Sequence, residues 1–241
     1  MITGLETGRT FADLQTVFLA HDPIANTTRQ SQVDSLRESR AAQQTLSARV
    51  DAWKSTGVGA RYFDASLNTP KPAVKGYADV VAKCQKYCDT IATDKRNLLL
   101  FGPIGTGKDY LQAAILRAAT INYGVKTKWT DGQELAAACR DTFSNDEIES
   151  SVWKPLANAP LLGLSDPFPT TGAMKDHHRT VIRLLLEQRY RKKLPTITTA
   201  NVSSFGELKT RLGPDIADRL RDDSELIFCN WPSLRKHRPD K

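Results

Sequence analysis

The amino-acid sequence predicts an α/β fold, a five-stranded parallel sheet with helices on both faces, preceded by a small helical N-terminal appendage. Two observations predict it. Apolar runs of five or six residues alternate with helical segments from residue 97 onward. The first of these runs opens directly onto a glycine-rich loop, which a helix follows. Short strands that are linked through helices form parallel sheets covered on both faces.

The elements follow one another in this order. Residues 28–55 contain no Gly or Pro, which favours a helix that ends at Gly57 and Gly59. Its apolar positions are sparse, so this helix either docks on a partner or stays largely solvated. The predicted strands cover 97–101, 125–130, 160–164, 195–200 and 225–229. The predicted helices between them cover about 109–123, 132–143, 176–191 and 204–221.

Length and hydropathy narrow the class of protein. The 241 residues suffice for one large domain, or for a domain of about 150–200 residues with an appendage. No apolar run approaches the roughly 18–20 residues that a membrane-spanning helix needs, and the N-terminus shows no signal-peptide pattern. We therefore expect a cytoplasmic protein that has no membrane partner. The four cysteines lack the paired spacing of a zinc site, which indicates reduced structural thiols.

The positive charge is unevenly distributed along the chain. The formal net charge is +7, yet residues 1–60 carry six basic and six acidic side chains, so the whole excess lies in residues 61–241. A basic domain behind a neutral segment predicts contact with a polyanion in the second part of the chain. The same excess is also typical of a feature that only maintains solubility.

The glycine-rich loop matches a phosphate-binding motif in all but one position. The pattern G-x-x-x-x-G-K-[ST] is met at residues 102–108, but an aspartate follows where a Ser or Thr hydroxyl normally holds Mg²⁺. The preceding strand and the following helix direct backbone N–H groups at phosphate oxygens. Glycines let the backbone approach closely, and the lysine reaches the β- and γ-phosphates. The predicted cofactor-binding residues of this loop are Gly102, Gly105, Thr106, Gly107, Lys108 and Asp109.

A second departure from the usual pattern lies at the end of the third predicted strand. Such strands commonly end in an acid that holds Mg²⁺, often followed by a second acid, but here Ser165 precedes Asp166. The phosphate loop thus has a carboxylate, Asp109, where a hydroxyl is usual, and the strand end has a hydroxyl, Ser165, where a carboxylate is usual. We predict that Asp109, Ser165 and Asp166 hold Mg²⁺ and that ATP hydrolysis is weak. Alternatively, Asp109 stabilises the helix start electrostatically and the metal relies on water.

These motifs and several others make the chain similar to a known family. Over residues 56–241 it resembles the bacterial DnaC-type helicase loaders, AAA+ ATPases that are related to the IstB transposition ATPases. The resemblance implies a five-stranded AAA+ sheet without a C-terminal helical lid, and ATP and Mg²⁺ as cofactors. Besides the phosphate loop, the segments that carry it are STGVGARYFDASL (55–67), DTFSNDE (141–147), LPTITTANVS (194–203), RLGPDIADRL (211–220) and ELIFCNWPSLRK (225–236).

The resemblance also implies roles for three further side chains. Asn201 would orient the attacking water, Arg219 would reach the nucleotide of a neighbouring subunit, and Arg235 would contact the phosphates of its own chain. Asp166, Asn201 and Arg219 form the predicted catalytic set. An arginine that acts on a neighbour requires a homo-oligomer, assembled on DNA or on the helicase. For each arginine the alternative is a solvated surface residue.

The implied function is to place a replicative ring helicase on single-stranded DNA. Residues 1–55 are predicted to bind the helicase, and residues 56–241 to form the ATPase domain. Two basic segments, 175–179 and 187–193, are candidates for contact with nucleic acid, although a solvated helix end explains the second equally well. Two alternatives stay open. One is an IstB-like ATPase that binds duplex DNA and a transposase, and the other is a nucleotide-binding scaffold that does not hydrolyse ATP.

Overall fold

A computed structural model describes residues 23–69, 72–91, 93–142, 148–169 and 172–235. Residues 1–22 of the predicted appendage, most of the DTFSNDE motif and the last residue of the closing motif lie outside this part. The chain divides into two compact units, residues 1–47 and 48–241. The helices of the described residues are α1 (Pro23–Lys54), α2 (Tyr77–Thr90), α3 (Lys108–Ile121), α4 (Gly132–Asp141), α5 (Glu149–Ala157), α6 (Asp176–Arg191), α7 (Phe205–Leu212) and α8 (Pro214–Arg221). The strands are β1 (Asn97–Phe101), β2 (Thr127–Asp131), β3 (Leu161–Ser165), β4 (Thr196–Ala200) and β5 (Ser224–Phe228).

The five strands form one sheet in the order β2-β3-β4-β1-β5. Every neighbouring pair is parallel, and β1 lies between β4 and β5, with Leu98 opposite Ile197 and Glu225. The predicted fold class is therefore confirmed. Because parallel strands end at one edge of the sheet, the segments after β1, β3 and β4 come together there. These three segments carry the phosphate loop, Asp166 and Asn201.

The two faces of the sheet carry two separate apolar cores. On β1, Leu98 and Leu100 pack with α2 and α3, whereas Leu99 packs on the other face with α4, α6, α7 and α8. Successive side chains of a strand point to opposite faces, so a strand buried on both sides must be apolar throughout. This requirement explains the continuous apolar run at β1.

Helix α1 runs from the first unit into the second. In the first unit its described side chains are exposed, including Leu36 and Leu46 at 58% and 45%. Neither α1 nor any other helix of the described residues is long and apolar enough to cross a membrane. The end of α1 belongs to the second unit, where Trp53 is 1% exposed and its indole Nε1 donates to the Phe63 carbonyl at 2.9 Å. A truncation that removes the first unit must therefore keep residues 48–54.

The structure differs from the sequence prediction at three helices. The predicted helical stretch 204–221 is divided into α7 and α8, because Gly213 adopts a φ of +97° and Pro214 then starts a new helix. Helix α2 was not predicted, although its buried positions recur at helical spacing. Helix α5 was not predicted either, because it contains Pro155 near its end. A proline within a segment argues against a helix there.

Candidate nucleotide-binding site

The phosphate loop connects β1 to α3 in a conformation that only glycine adopts readily. Gly102, Gly105 and Gly107 all have positive φ angles, of +149°, +84° and +86°. A Cβ atom at Gly102 would lie 2.4 Å from the Cys229 carbonyl oxygen, and one at Gly105 would lie 2.2 Å from Ser233 Oγ. The chain after β5 therefore packs so closely against the loop that larger residues would displace it. The result is an open cradle at the N-terminus of α3.

Lys108 is held inside this cradle. Its side chain is buried, and Nζ donates to the carbonyl oxygens of Gly102 at 3.0 Å and Pro103 at 2.8 Å. Burial lowers the pKa of the ammonium group, while the nearby carboxylates of Asp166 and Asp109 oppose that change. Because its partners are neutral carbonyls, a phosphate group would offer the ammonium a stronger, charged acceptor.

The loop forms one wall of a pocket of about 340 Å³. Pockets of roughly 300–1,000 Å³ are usual for small-molecule sites. Three tyrosines and two arginines also line the pocket: Tyr62, Tyr77, Tyr110, Arg61 and Arg235. The pocket thus combines the phosphate loop with aromatic and cationic side chains. Six further predicted site residues line it: Gly105, Gly107, Lys108, Asp109, Asp166 and Asn201.

Asp109 is held by hydroxyl groups from two strands. Ser165 Oγ donates to Asp109 Oδ1 at 2.9 Å, and Thr199 Oγ1 donates to the same oxygen at 2.7 Å. Ser165 is buried behind this carboxylate and does not line the pocket. The two exchanged side chains are therefore in direct contact, with the carboxylate toward the pocket and the hydroxyl behind it.

Asp166 lies in the pocket beside Asp109 in an unusual backbone conformation. Its φ is +37°, and its backbone N–H donates to Thr199 Oγ1 at 3.3 Å. Asn201 Nδ2 donates to Asp166 Oδ2 at 2.7 Å, so the two predicted catalytic residues contact each other. Burial, followed by the charge of Asp109, raises the pKa of Asp166 to about 6. Strain and burial of this kind concentrate at functional sites.

The raised pKa of Asp166 predicts how stability depends on pH. Between its unfolded value near 4 and its folded value of about 6, the folded protein binds more protons than the unfolded chain. The contribution of Asp166 to the free energy of unfolding therefore falls as the pH rises through this window. We expect Asp166→Asn to remove that loss. The free energies of unfolding of parent and variant, measured with urea on nucleotide-free protein, should therefore diverge between pH 4 and 6. Parallel curves for the two proteins would contradict the assignment.

The donor set fits a magnesium ion that is bound together with nucleotide. Within the described residues no group of three or more His, Cys, Asp and Glu side chains is arranged to hold a metal alone. Mg²⁺ is instead typically bound through one or two carboxylates plus substrate phosphates. Asp109 and Asp166 supply two such carboxylates beside the phosphate cradle. Ser165 as a direct ligand stays a prediction, since its hydroxyl is directed at Asp109.

The two predicted arginines lie at different places. Arg235 lines the nucleotide pocket. Arg219 lines a separate pocket of about 530 Å³ together with Asn97 and Thr196, the first residues of β1 and β4. This second pocket is therefore at the opposite edge of the sheet from the phosphate loop. Arg219 lies 3.9 Å from Glu187 and does not line the nucleotide pocket of its own chain. Its action on a neighbouring subunit stays a prediction.

The basic segment 187–193 is only partly available to nucleic acid. Arg189 is 1% exposed and donates to the carbonyls of Leu156 and Ala159, both at 2.8 Å. Arg189 thus ties the end of α5 to the start of β4 and has a structural role. Arg191 pairs with Glu187 within the same helix at 2.6 Å. In segment 175–179, His178 is buried, which lowers its pKa.

Sequence reasoning missed several residues of the site. Thr199 contacts both Asp109 and Asp166. Its spacing of two residues from Asn201 was a signal that both side chains lie on the same face of the sheet. Tyr62 and Arg61 lie within the segment 55–67 that carried the family resemblance, but no spacing rule places them over the phosphate loop.

A phosphate loop between a buried strand and a helix, with one carboxylate in the first turn of that helix and another directly after a parallel strand, defines a P-loop nucleotide-binding domain. Comparisons with known proteins narrow this class. No family model matches the chain. The replicative helicase loader DnaC of Escherichia coli K12 is 24% identical over 201 residues, which cover 83% of this chain and 78% of that protein. An insertion-sequence ATP-binding protein of Sinorhizobium fredii is 35% identical over 147 residues, covering 58% of this chain and 47% of that protein.

Solved structures show the same fold. A crystal structure of the DnaC helicase loader superposes with a TM-score of 0.64 and 22% identity, covering 70% of this chain and 99% of that chain. The replication initiator DnaA, solved with AMPPCP and single-stranded DNA, gives a TM-score of 0.58 at 14% identity, covering 71% of this chain and 50% of that chain. The resemblance predicted from the sequence is confirmed: the chain is similar to the DnaC-type AAA+ helicase loaders along most of its length.

Proposed function

We propose that this protein is an ATP-binding AAA+ helicase loader that helps to place a replicative ring helicase on single-stranded DNA, with weak ATP hydrolysis. The observation that carries the proposal is the pocket in which the phosphate loop, Asp166, Asn201 and Arg235 meet. Its support is the likeness to DnaC over most of both chains. The expected compartment is the cytoplasm, where such a helicase meets DNA.

The side chains of the pocket suit nucleotide binding better than rapid hydrolysis. Lys108 and the loop N–H groups bind the phosphates, and Arg235 adds a second cation from the chain after β5. A bound Mg²⁺ neutralises phosphate charge and orients the terminal phosphate. Asp109 and Asp166 would hold it, which leaves the Asp166–Asn201 pair to orient the attacking water. Because Asp166 would then serve both metal and water, we expect slow turnover and a nucleotide that mainly marks the state of the loader.

The position of Arg219 supports the assembly that this function needs, if this arginine acts on a nucleotide as the family resemblance implies. A side chain at the opposite edge of the sheet reaches a nucleotide only in a neighbouring copy, so we propose that several copies assemble on the helicase or on DNA. The basic excess after residue 60 supports contact with the DNA backbone. The exposed surface of α1 in the first unit is available for the helicase.

A second candidate function is that of an IstB-like transposition ATPase, because the insertion-sequence protein of Sinorhizobium fredii has the higher identity of the two relatives. That candidate predicts binding to duplex DNA and to a transposase. The first candidate predicts preference for single strands and a complex with the helicase.

Removal of residues 1–47 tests whether the first unit binds the helicase and the second unit binds DNA. We expect the shortened chain to lose the complex with the purified replicative helicase of its host, measured by light scattering after size-exclusion chromatography. It should keep its affinity for fluorescent single-stranded DNA, with a steep dependence of affinity on salt. Cutting before Ala48 keeps Trp53 in the core, so circular dichroism should show a folded chain. Retained helicase binding would assign the first unit another role, and preference for duplex DNA would favour the transposition candidate.

A further inference from the structure

We infer that Thr199 is a positioning residue of the metal site, which holds Asp109 so that one carboxylate oxygen is presented to the Mg²⁺ of a bound nucleotide. The inference rests on the proposed nucleotide site, and it concerns a residue outside the phosphate loop. Thr199 lies on β4, 90 residues from Asp109 in the chain, and is fully buried.

The hydrogen bonds at Asp109 are divided unequally between its two oxygens. Both hydroxyl donors, from Ser165 and Thr199, are directed at Oδ1, at 2.9 and 2.7 Å. Among the described residues no hydrogen bond reaches Oδ2, and Asp109 lines the pocket. Two donors on one oxygen fix the rotation of the carboxylate and compensate its partial desolvation. The other oxygen then remains for a cation.

Thr199 also connects Asp109 to the second carboxylate. Its Oγ1 donates to Asp109 Oδ1 and accepts from the backbone N–H of Asp166 at 3.3 Å. One hydroxyl therefore contacts the carboxylate of Asp109 and the backbone of Asp166, the residues of the two proposed magnesium ligands. Ser165 contacts Asp109 as well, but no hydrogen bond from its hydroxyl reaches Asp166. Loss of a group that orients a metal-binding carboxylate in this way typically lowers metal affinity or activity by about 10- to 100-fold.

The neighbouring residue supplies a matched control. Thr198 is also buried on β4, and its hydroxyl has no hydrogen-bond partner among the residues that the structure describes. Thr198→Val and Thr199→Val thus make the same chemical change at adjacent positions on opposite faces of one strand. Only the second change removes a contact to Asp109. Thr199→Ser keeps the hydroxyl and removes a methyl group, so it separates hydrogen bonding from packing.

The test measures Mn²⁺ binding by electron paramagnetic resonance in the presence of the non-hydrolysable analogue AMPPNP. We expect Thr199→Val to weaken Mn²⁺ binding by about 10- to 100-fold, and Thr198→Val and Thr199→Ser to stay within about threefold of the parent. AMPPNP affinity measured in EDTA should be unchanged in all variants, which shows that the loop is intact. If Thr199→Val fails to fold, Thr199→Ala serves as the second variant without a hydroxyl.

Three outcomes would overturn the inference. They are Mn²⁺ affinity of Thr199→Val within twofold of the parent, an equal loss in Thr199→Ser, and no Mn²⁺ binding by the parent with AMPPNP. Failure of the proposed function is distinguishable from these. A parent that binds AMPPNP and Mn²⁺ but forms no complex with the helicase would refute the loader function and leave the role of Thr199 standing.

Discussion

Exchanging the two misplaced side chains, in the double variant Asp109→Thr/Ser165→Asp, is expected to raise steady-state ATP turnover tenfold or more. The exchange returns a hydroxyl to the start of α3 and an acid to the end of β3, so Asp166 is released to polarise water. One well-placed electrostatic contributor is typically worth roughly 10²–10³ in rate, so tenfold is a lower expectation. Turnover should be measured with single-stranded DNA present.

The single variants are the controls for this exchange. Ser165→Asp alone places a second carboxylate against Asp109, where the parent hydroxyl donates at 2.9 Å. Two carboxylates at that distance cannot both stay ionised, so one pKa rises and metal binding is not improved. We therefore expect no gain from Ser165→Asp by itself and a loss from Asp109→Thr by itself. A parent that already turns over at about 1 s⁻¹ or faster, with no rise in the double variant, would show that Asp109 and Asp166 form a competent site.

Lys108→Ala is expected to lower the affinity for ATP by 100-fold or more. The Nζ group is already inside the cradle, bonded to two loop carbonyls, and it is the loop's only charged phosphate donor. Charge-assisted hydrogen bonds contribute about 1.5–3 kcal/mol each, and a 100-fold loss corresponds to about 2.7 kcal/mol. Isothermal titration calorimetry with Mg²⁺ measures the effect directly.

Two further variants make the lysine result specific. Lys108→Met keeps most of the side-chain length without the charge, and it should lose as much affinity as Lys108→Ala. Lys128→Ala removes an exposed lysine on β2 and should leave affinity unchanged. Equal affinity of Lys108→Ala and the parent would refute the phosphate-loop assignment.

The strands and the loop were predictable because local rules determine them. A strand covered on both faces must be apolar throughout, so β1 was predicted with its observed bounds, and helix α6 likewise. The phosphate loop was predictable because its glycines are required by positive φ angles. Helix α5 was missed because Pro155 disfavours a helix, and helix α2 was missed although its buried positions recur at helical spacing.

The inner arrangement of the site was not predictable, because it depends on the order of the strands. Ser165 and Thr199 reach the same oxygen of Asp109 only because β3 and β4 are neighbours in the sheet. The sequence contains both hydroxyls but not their adjacency. Arg189 shows the same limit of sequence-based prediction. It belongs to the basic segment 187–193, which was a candidate for contact with nucleic acid, but its side chain is buried. The burial of a charged residue follows from the carbonyl groups that surround it.

The most direct measurement of the loader function is the amount of replicative helicase that becomes bound to a single-stranded DNA circle. The helicase is incubated with the circle, ATP and this protein, and the bound fraction is separated by gel filtration. We predict that the parent raises the bound fraction well above helicase alone, and that Lys108→Ala and the chain lacking residues 1–47 do not. A bound fraction that is the same with the parent as with helicase alone would contradict the central claim.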